Sequence, residues 1–213
     1  MSFPGHFITF EGIDGSGKST QASILAKTLS EKGKNVLLTR EPGGTHISES
    51  IRNLLKDPIL GQNMSPKTEL LLFEASRAQL VSESILPALQ MGKIVICDRF
   101  TDSTTLYQGL AREIEPTLVE TLNNFACQGI QPSVTVLLDL PPDILLTRLQ
   151  ARLDTPTDRI EQENLSFFKT IRQGYLELVR SEPERFIIAD ATLDVQNLSK
   201  EIFHAISKRI HLT

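Results

Sequence analysis

The sequence predicts an α/β fold built on a doubly wound, parallel, five-stranded sheet flanked by helices. Two observations carry that reading. Five short runs rich in apolar and β-branched residues alternate with longer segments of helical period along the 213 residues, which is the order of repeated βαβ units. Those runs are apolar throughout instead of alternating with polar residues, as suits strands covered on both faces. Against about 150 residues per domain, this length favours one domain spanning 1–213.

The first strand run is 7–10, and a helical pattern at 18–32 follows a glycine-rich turn. The second run, 36–39, leads into helical period at 46–55. Gly61-Gln62-Asn63-Met64-Ser65-Pro66 reads as a loop before a helix N-cap, and the helical pattern 67–90 follows it. Run three, 94–97, is succeeded by a polar loop holding Ser103 and Thr104, then by helical period at 116–127. Run four, 134–138, has helical patterns at 142–151 and 161–180 behind it. The last run, 186–189, precedes a helical pattern at 195–210. No repeat, low-complexity tract or linker interrupts this order. In such sheets ligands bind beyond the carboxyl ends of the strands, so the polar residues just after each run matter most.

Composition narrows the function classes. With 40% hydrophobic and 23% charged residues, the chain is neither disordered, collagen-like nor a coiled-coil rod. Its 22 basic and 26 acidic residues, a net of −4, give no broad electrostatic footprint for nucleic acid or an anionic membrane. No apolar run approaches the ~20 residues of a membrane span, and Met1-Ser2-Phe3-Pro4-Gly5-His6 has no signal-peptide character. Two cysteines, Cys97 and Cys127, make neither a disulfide framework nor a zinc set. A cytoplasmic location is the expectation.

After the first run, Gly12-Ile13-Asp14-Gly15-Ser16-Gly17-Lys18-Ser19-Thr20 matches G-x-x-x-x-G-K-[ST]. The glycines let backbone N–H groups turn inward around phosphate oxygens. The helix starting near Lys18 points its positive end at the same anion. Lys18 reaches the outer phosphates, and the Ser19 hydroxyl is placed for Mg²⁺. The motif predicts a nucleoside triphosphate without naming a reaction; no Asn-Lys-x-Asp stretch marks a GTPase. Val95-Ile96-Cys97-Asp98 makes Asp98 a second candidate for the metal. Arg99 follows immediately and suggests a second anion beside the first. Asp139 ends another run, either near the metal or as a strand-end cap.

These stretches, together with Thr39-Arg40-Glu41-Pro42-Gly43-Gly44-Thr45, Tyr107-Gln108-Gly109, Asp158-Arg159-Ile160-Glu161 and Ala189-Asp190-Ala191, resemble the thymidylate kinase family over nearly the whole length. The resemblance implies a P-loop NTPase-like fold of nucleoside monophosphate kinase type. It implies Mg²⁺-dependent transfer of the γ-phosphate of ATP to dTMP, and a homodimer. It makes Arg99 the holder of the acceptor phosphate and puts Arg40 and Pro42 in the segment that closes around it. Phe73 would stack on the thymine; by pattern alone it reads as core. Arg77, four residues on and on the same helix face, would bond O4, and Gln108 would read the N3 edge. Tyr107 would crowd the sugar 2′ position, Asp14 would accept the 3′-OH, and Ser103 and Thr104 would touch the acceptor.

The phosphate loop carries no arginine. Arg148, Arg152 and Arg159 surround Leu153-Asp154-Thr155-Pro156-Thr157-Asp158, which resembles the bacterial-type lid (about 148–160) that supplies the catalytic arginine. Leu153-Asp154 stands where such lids often carry Arg-Gly, so the choice among the three arginines stays open. Ala189-Asp190-Ala191 matches the segment where adenine docks. Two other readings remain: a kinase for another monophosphate such as dUMP, and a P-loop switch or regulatory ATPase.

Overall fold

The computed structural model describes residues 3–150, 160 and 163–211. In chain order its elements are β1 (His6–Glu11), α1 (Lys18–Glu31), β2 (Val36–Arg40), α2 (His46–Lys56), α3 (Pro66–Leu80), α4 (Leu86–Gln90), β3 (Ile94–Asp98), α5 (Thr101–Thr104), α6 (Pro116–Ala126), β4 (Val134–Asp139), α7 (Pro142–Gln150), α8 (Leu165–Ser181), β5 (Phe186–Asp190) and α9 (Val195–Arg209). The five strands form one parallel sheet in the order β2-β3-β1-β4-β5.

Alternate residues of each central strand feed opposite layers, as the two-residue strand period requires. Ile8 and Phe10 of β1, with Ile94 and Ile96 of β3 and Val134 and Val136 of β4, pack against α1, α8 and α9. Phe7, Val95 and Cys97 point the other way, onto Leu80, Val81, Ile85 and Leu89. The runs covered on both faces are β1, β3 and β4. The sheet order makes β2 and β5 edge strands, and each leaves an apolar side chain in water, Leu38 at 43% and Ile188 at 54% exposure.

The register aligns the carboxyl ends. Arg40 pairs with Asp98 and Asp98 with Phe10, so the segments after β1, β2 and β3 leave the sheet at one level. The glycine-rich loop after β1 then fits only as glycine: at Gly12 (φ +136°) a Cβ would meet the Leu138 carbonyl oxygen at 2.6 Å.

Among the described residues, two helical segments contain π-turns. The 66–90 helix runs through one at Val81–Ile85; Pro87 lacks the N–H an α-turn would use, and the wider turn absorbs its ring. The polar stretch after β3, expected as a loop, is helical instead. Thr101–Thr104 passes into a π-turn at Thr105–Leu110. Its threonines are weak helix formers, so the sequence hides it; burial of Leu106, Tyr107 and Gln108 supplies the stabilisation. The helix expected from 161 begins at Leu165, where the Asn164 side chain accepts the Phe167 N–H at 2.9 Å.

Candidate active site

A cavity of about 530 Å³ opens at the carboxyl ends of β1, β2 and β3. The phosphate loop forms one end of it. Gly15 and Gly17 hold φ of +69° and +97°, and Gly17 leaves α1 without a side-chain cap. The first-turn N–H groups of α1 therefore remain available to an anion. Lys18 lies along the loop and donates to the Ile13 carbonyl at 2.8 Å. Burial, reinforced by Arg99, lowers its ammonium pKa to about 8. Gly15, Gly17, Lys18, Ser19 and Thr20 line the cavity; Gly12, Ile13 and Ser16 form the back of the loop.

Ser19 Oγ donates to Asp98 Oδ2, and Asp98 Oδ1 is buried with no hydrogen-bond partner. A hydroxyl and a carboxylate with an unspent oxygen fit a hard divalent cation. Among the described residues, no cluster of three or more His, Cys, Asp and Glu side chains could hold a metal alone. A Mg²⁺ ion there would share its shell with phosphate oxygens and water, as that ion usually does. Asp139, at the end of β4, accepts from Arg172 Nε at 2.6 Å and Nη2 at 2.9 Å.

Arg99 is the junction of the cavity. Its backbone adopts φ +73°, a region costing about 1–3 kcal/mol for a residue with a Cβ, while its N–H still reaches the Phe10 carbonyl at 2.9 Å. That turn swings the guanidinium over the phosphate loop. Arg99 Nη2 donates to Asp14 Oδ1 at 2.6 Å and Nη1 to Ser103 Oγ at 3.0 Å. The guanidinium also lies over the Tyr107 ring, 5.0 Å from its centroid. Burial favours a protonated Asp14, but Arg99 and Lys18 outweigh it and hold the carboxyl at about 2. Tyr107 Oη donates to Asp14 Oδ2 at 3.1 Å.

The sequence reading missed what holds this turn in place. Glu11, fully buried at the end of β1, accepts from the Phe100 N–H at 2.8 Å, Ser103 Oγ at 2.6 Å and Tyr175 Oη at 2.8 Å. Burial and the nearby Asp102 push its carboxyl up to about 7. A charged residue closing an apolar strand is a legible signal; its partner Tyr175, 164 residues away, is not.

The far wall comes from α3 and the π-turn. Phe73, Arg77, Thr104 and Gln108 line it, with Arg40 and Pro42 at the rim. Arg40 Nη2 is held by Glu49 at 2.8 and 2.9 Å and stays half-exposed. Arg77 is buried, and its five N–H groups are all engaged within the protein. Nε and Nη2 donate to Glu41, Nη2 to Thr104, and Nη1 to Glu74 and Asn123. Donation to a bound base would require exchanging one of these bonds. Glu74, three residues before Arg77, could have been anticipated from helix geometry; Glu41 and Asn123 could not. Gln108 Nε2 donates to Glu69 Oε1 at 2.8 Å.

Arg148, in the last turn of α7, also lines the cavity. It donates to the Gly15 carbonyl at 2.9 Å and the Ala191 carbonyl at 2.7 Å, tying the phosphate loop to the segment after β5. Arg152 and Arg159 lie outside the described residues.

A family model described as thymidylate kinase matches residues 10–202. The chain belongs to the thymidylate kinase family. A thymidylate kinase of Pelobacter propionicus is 48% identical over 202 residues, covering 93% of this chain and 92% of its own length. One from Trichlorobacter lovleyi is 47% identical over 208 residues, covering 96% and 98%. The crystal structure of thymidylate kinase from Ehrlichia chaffeensis matches at a TM-score of 0.77 with 35% identity, over 95% of this chain and 98% of that one. Membership of the thymidylate kinase family makes the protein a nucleoside monophosphate kinase, a phosphotransferase. Within this thymidylate kinase cavity, one end is cationic and rich in backbone N–H groups, and the other is aromatic and edged by buried polar side chains.

Proposed function

We propose that the protein transfers the γ-phosphate of ATP to dTMP, giving dTDP and ADP, with Mg²⁺ as the metal. The observation that supports this reading is that the phosphate loop and the wall of Phe73, Arg77, Tyr107 and Gln108 line one cavity, with Arg99 lining it too and paired to Asp14 of the loop. A phosphate oxygen of dTMP attacks the γ-phosphorus, the bond to the bridging oxygen breaks, and ADP leaves with that electron pair. This chemistry asks for positioning and positive charge more than for a base. Lys18 and the N–H groups of the loop hold the outer phosphates of ATP, while Arg99 and Arg40 hold the dTMP phosphate. One or more of Arg148, Arg152 and Arg159 supplies the further positive charge that the transition state needs. Ser19 and Asp98 would hold a Mg²⁺ ion, which would add neutralising charge at the phosphate oxygens. Asp14 and Tyr107 close around the deoxyribose, and Phe73 offers a face to the base.

The whole chain acts as one kinase domain in this reading, since strands from His6 to Asp190 share one sheet. We infer a homodimer as well. Leu118 and Phe125, seven residues apart on one face of α6, are 44% and 80% exposed, and Leu71 of α3 is 56% exposed, an apolar surface suited to a second copy. Two free, buried cysteines accord with a reducing, cytoplasmic location.

The test is ADP release from Mg-ATP with dTMP, dUMP, dCMP, dGMP, AMP or no acceptor. Selective stimulation by dTMP is expected. Equal release with and without acceptor would overturn the kinase reading.

A further inference from the structure

We propose that Glu69 is a specificity-determining positioning residue: it fixes which end of the Gln108 amide faces the base, and so selects pyrimidines that carry a proton on N3. The inference rests on the reading of dTMP as acceptor. Glu69 sits in the first turn of α3 and is 2% exposed; Gln108 sits in the π-turn after α5 and is 1% exposed. They meet at 2.8 Å. Arg112 approaches the same Glu69 oxygen at 3.4 Å, is itself held by Glu163 at 2.7 Å and lies over the Phe167 ring.

Glu69 Oε1 already accepts from Arg112 Nε at 3.4 Å, so this oxygen faces its neighbours as an acceptor. The Gln108 atom facing Glu69 must therefore be nitrogen, whatever orientation would be assigned from shape alone. The carbonyl oxygen is then turned to the other side, toward the cavity that Gln108 lines. An acceptor at that point complements the N3–H of thymine or uracil. Cytosine brings a lone pair at N3, so acceptor meets acceptor and both are left unsatisfied in a buried place. The neighbouring guanidinium of Arg77 is fully engaged with protein partners, which leaves the Gln108 carbonyl as the polar group on this wall not committed to Arg77's network. Discrimination of donor from acceptor at N3 thus depends on a residue behind the one that touches the base.

The test is Glu69→Gln in the full chain, assayed with Mg-ATP and dTMP, dUMP or dCMP. Glutamine is nearly isosteric but can donate as well as accept, so the Gln108 amide is free to turn over. The dTMP:dCMP ratio of kcat/KM should fall about tenfold or more, the usual consequence of releasing a buried mismatch. The loss should lie in KM for dTMP with kcat little changed, and the dTMP:dUMP ratio should hold, because both bases carry N3–H. If all three acceptors lose activity together and the ratios stay put, Glu69 is only a structural residue and the proposal fails. Glu69→Met gives a second version should the first not fold. Gln108→Met closes a double-mutant cycle: the double variant should lose no more selectivity than either single one, and additive losses would overturn the coupling. Failure of the underlying reading looks different, because the unmodified enzyme would then show no preference for dTMP over dCMP.

Discussion

The Asp14 carboxylate and the Arg99 guanidinium face each other at 2.6 Å, and that ion pair joins the phosphate-loop end of the cavity to the acceptor end. With Arg99 and Lys18 outweighing burial, Asp14 is held at about 2, below its ordinary 3.8. A depressed carboxyl contributes stability that is present above the ordinary value and lost as pH falls through the folded one. The side-chain carbon of Asp14 should therefore titrate near 2 by NMR, and in Arg99→Met it should move upward. A midpoint at the ordinary value in the unmodified protein would refute the pairing.

Lys18 makes the opposite case. Burial, and next Arg99, bring its ammonium down to about 8, so near that pH the free enzyme carries Lys18 partly neutral. Binding of a triphosphate favours the charged form, and protons should be taken up. Calorimetry of ATP binding at about pH 8, in buffers of different ionisation enthalpy, measures that uptake. In Lys18→Met it should vanish, and kcat should fall by about 10²–10³-fold or more.

Arg77 is a stability residue as much as a recognition residue. Its removal strands Glu41 and Glu74 in a buried site, and breaking such a pair typically costs about 3–5 kcal/mol. Urea unfolding of Arg77→Met at about pH 7 should show a loss of that order. Burial already pushes the Glu41 carboxyl up to about 7 against the pull of Arg77. Without Arg77 it rises further, so the deficit should shrink as the pH is lowered toward about 5 and the carboxyls take up protons. A deficit independent of pH would contradict this account.

For the metal, Asp98→Asn should raise the Mg²⁺ concentration needed for half-maximal rate by about 10- to 100-fold, the size of effect found when a group supporting a metal site is altered. Chelation by EDTA should stop turnover without lowering Tm, because among the described residues no acidic cluster holds a metal as part of the fold. Loss of structure on chelation would point to a structural ion instead.

The sheet was legible because its signal is local: five apolar runs, each followed within a few residues by the polar side chains that face the cavity. The glycines at 12, 15 and 17 announce their own positive φ values, and Lys18, Ser19 and Asp98 lie where strand ends must bring them. The supporting shell was much harder to see. Glu11 answers to Tyr175, Arg77 to Glu41 and Asn123, and Gln108 to Glu69, pairs separated by 36 to 164 residues that no periodicity encodes. The helix at Thr101–Leu110 escaped notice for a different reason. Its β-branched residues disfavour helix locally, and tertiary burial decides the matter.

In the π-turn of that helix the Ala111 N–H reaches back to the Leu106 carbonyl and the Ile114 N–H to the Gly109 carbonyl, five residues each time. Such a turn holds one residue more than an α-turn. Wound as an ordinary α-helix, the same residues would carry the side chains beyond the turn about 100° further round. Gln108, inside the turn, would be displaced with them although nothing in the composition had changed. Along this stretch the winding of the backbone, as much as the identity of the side chains, sets which groups face the base.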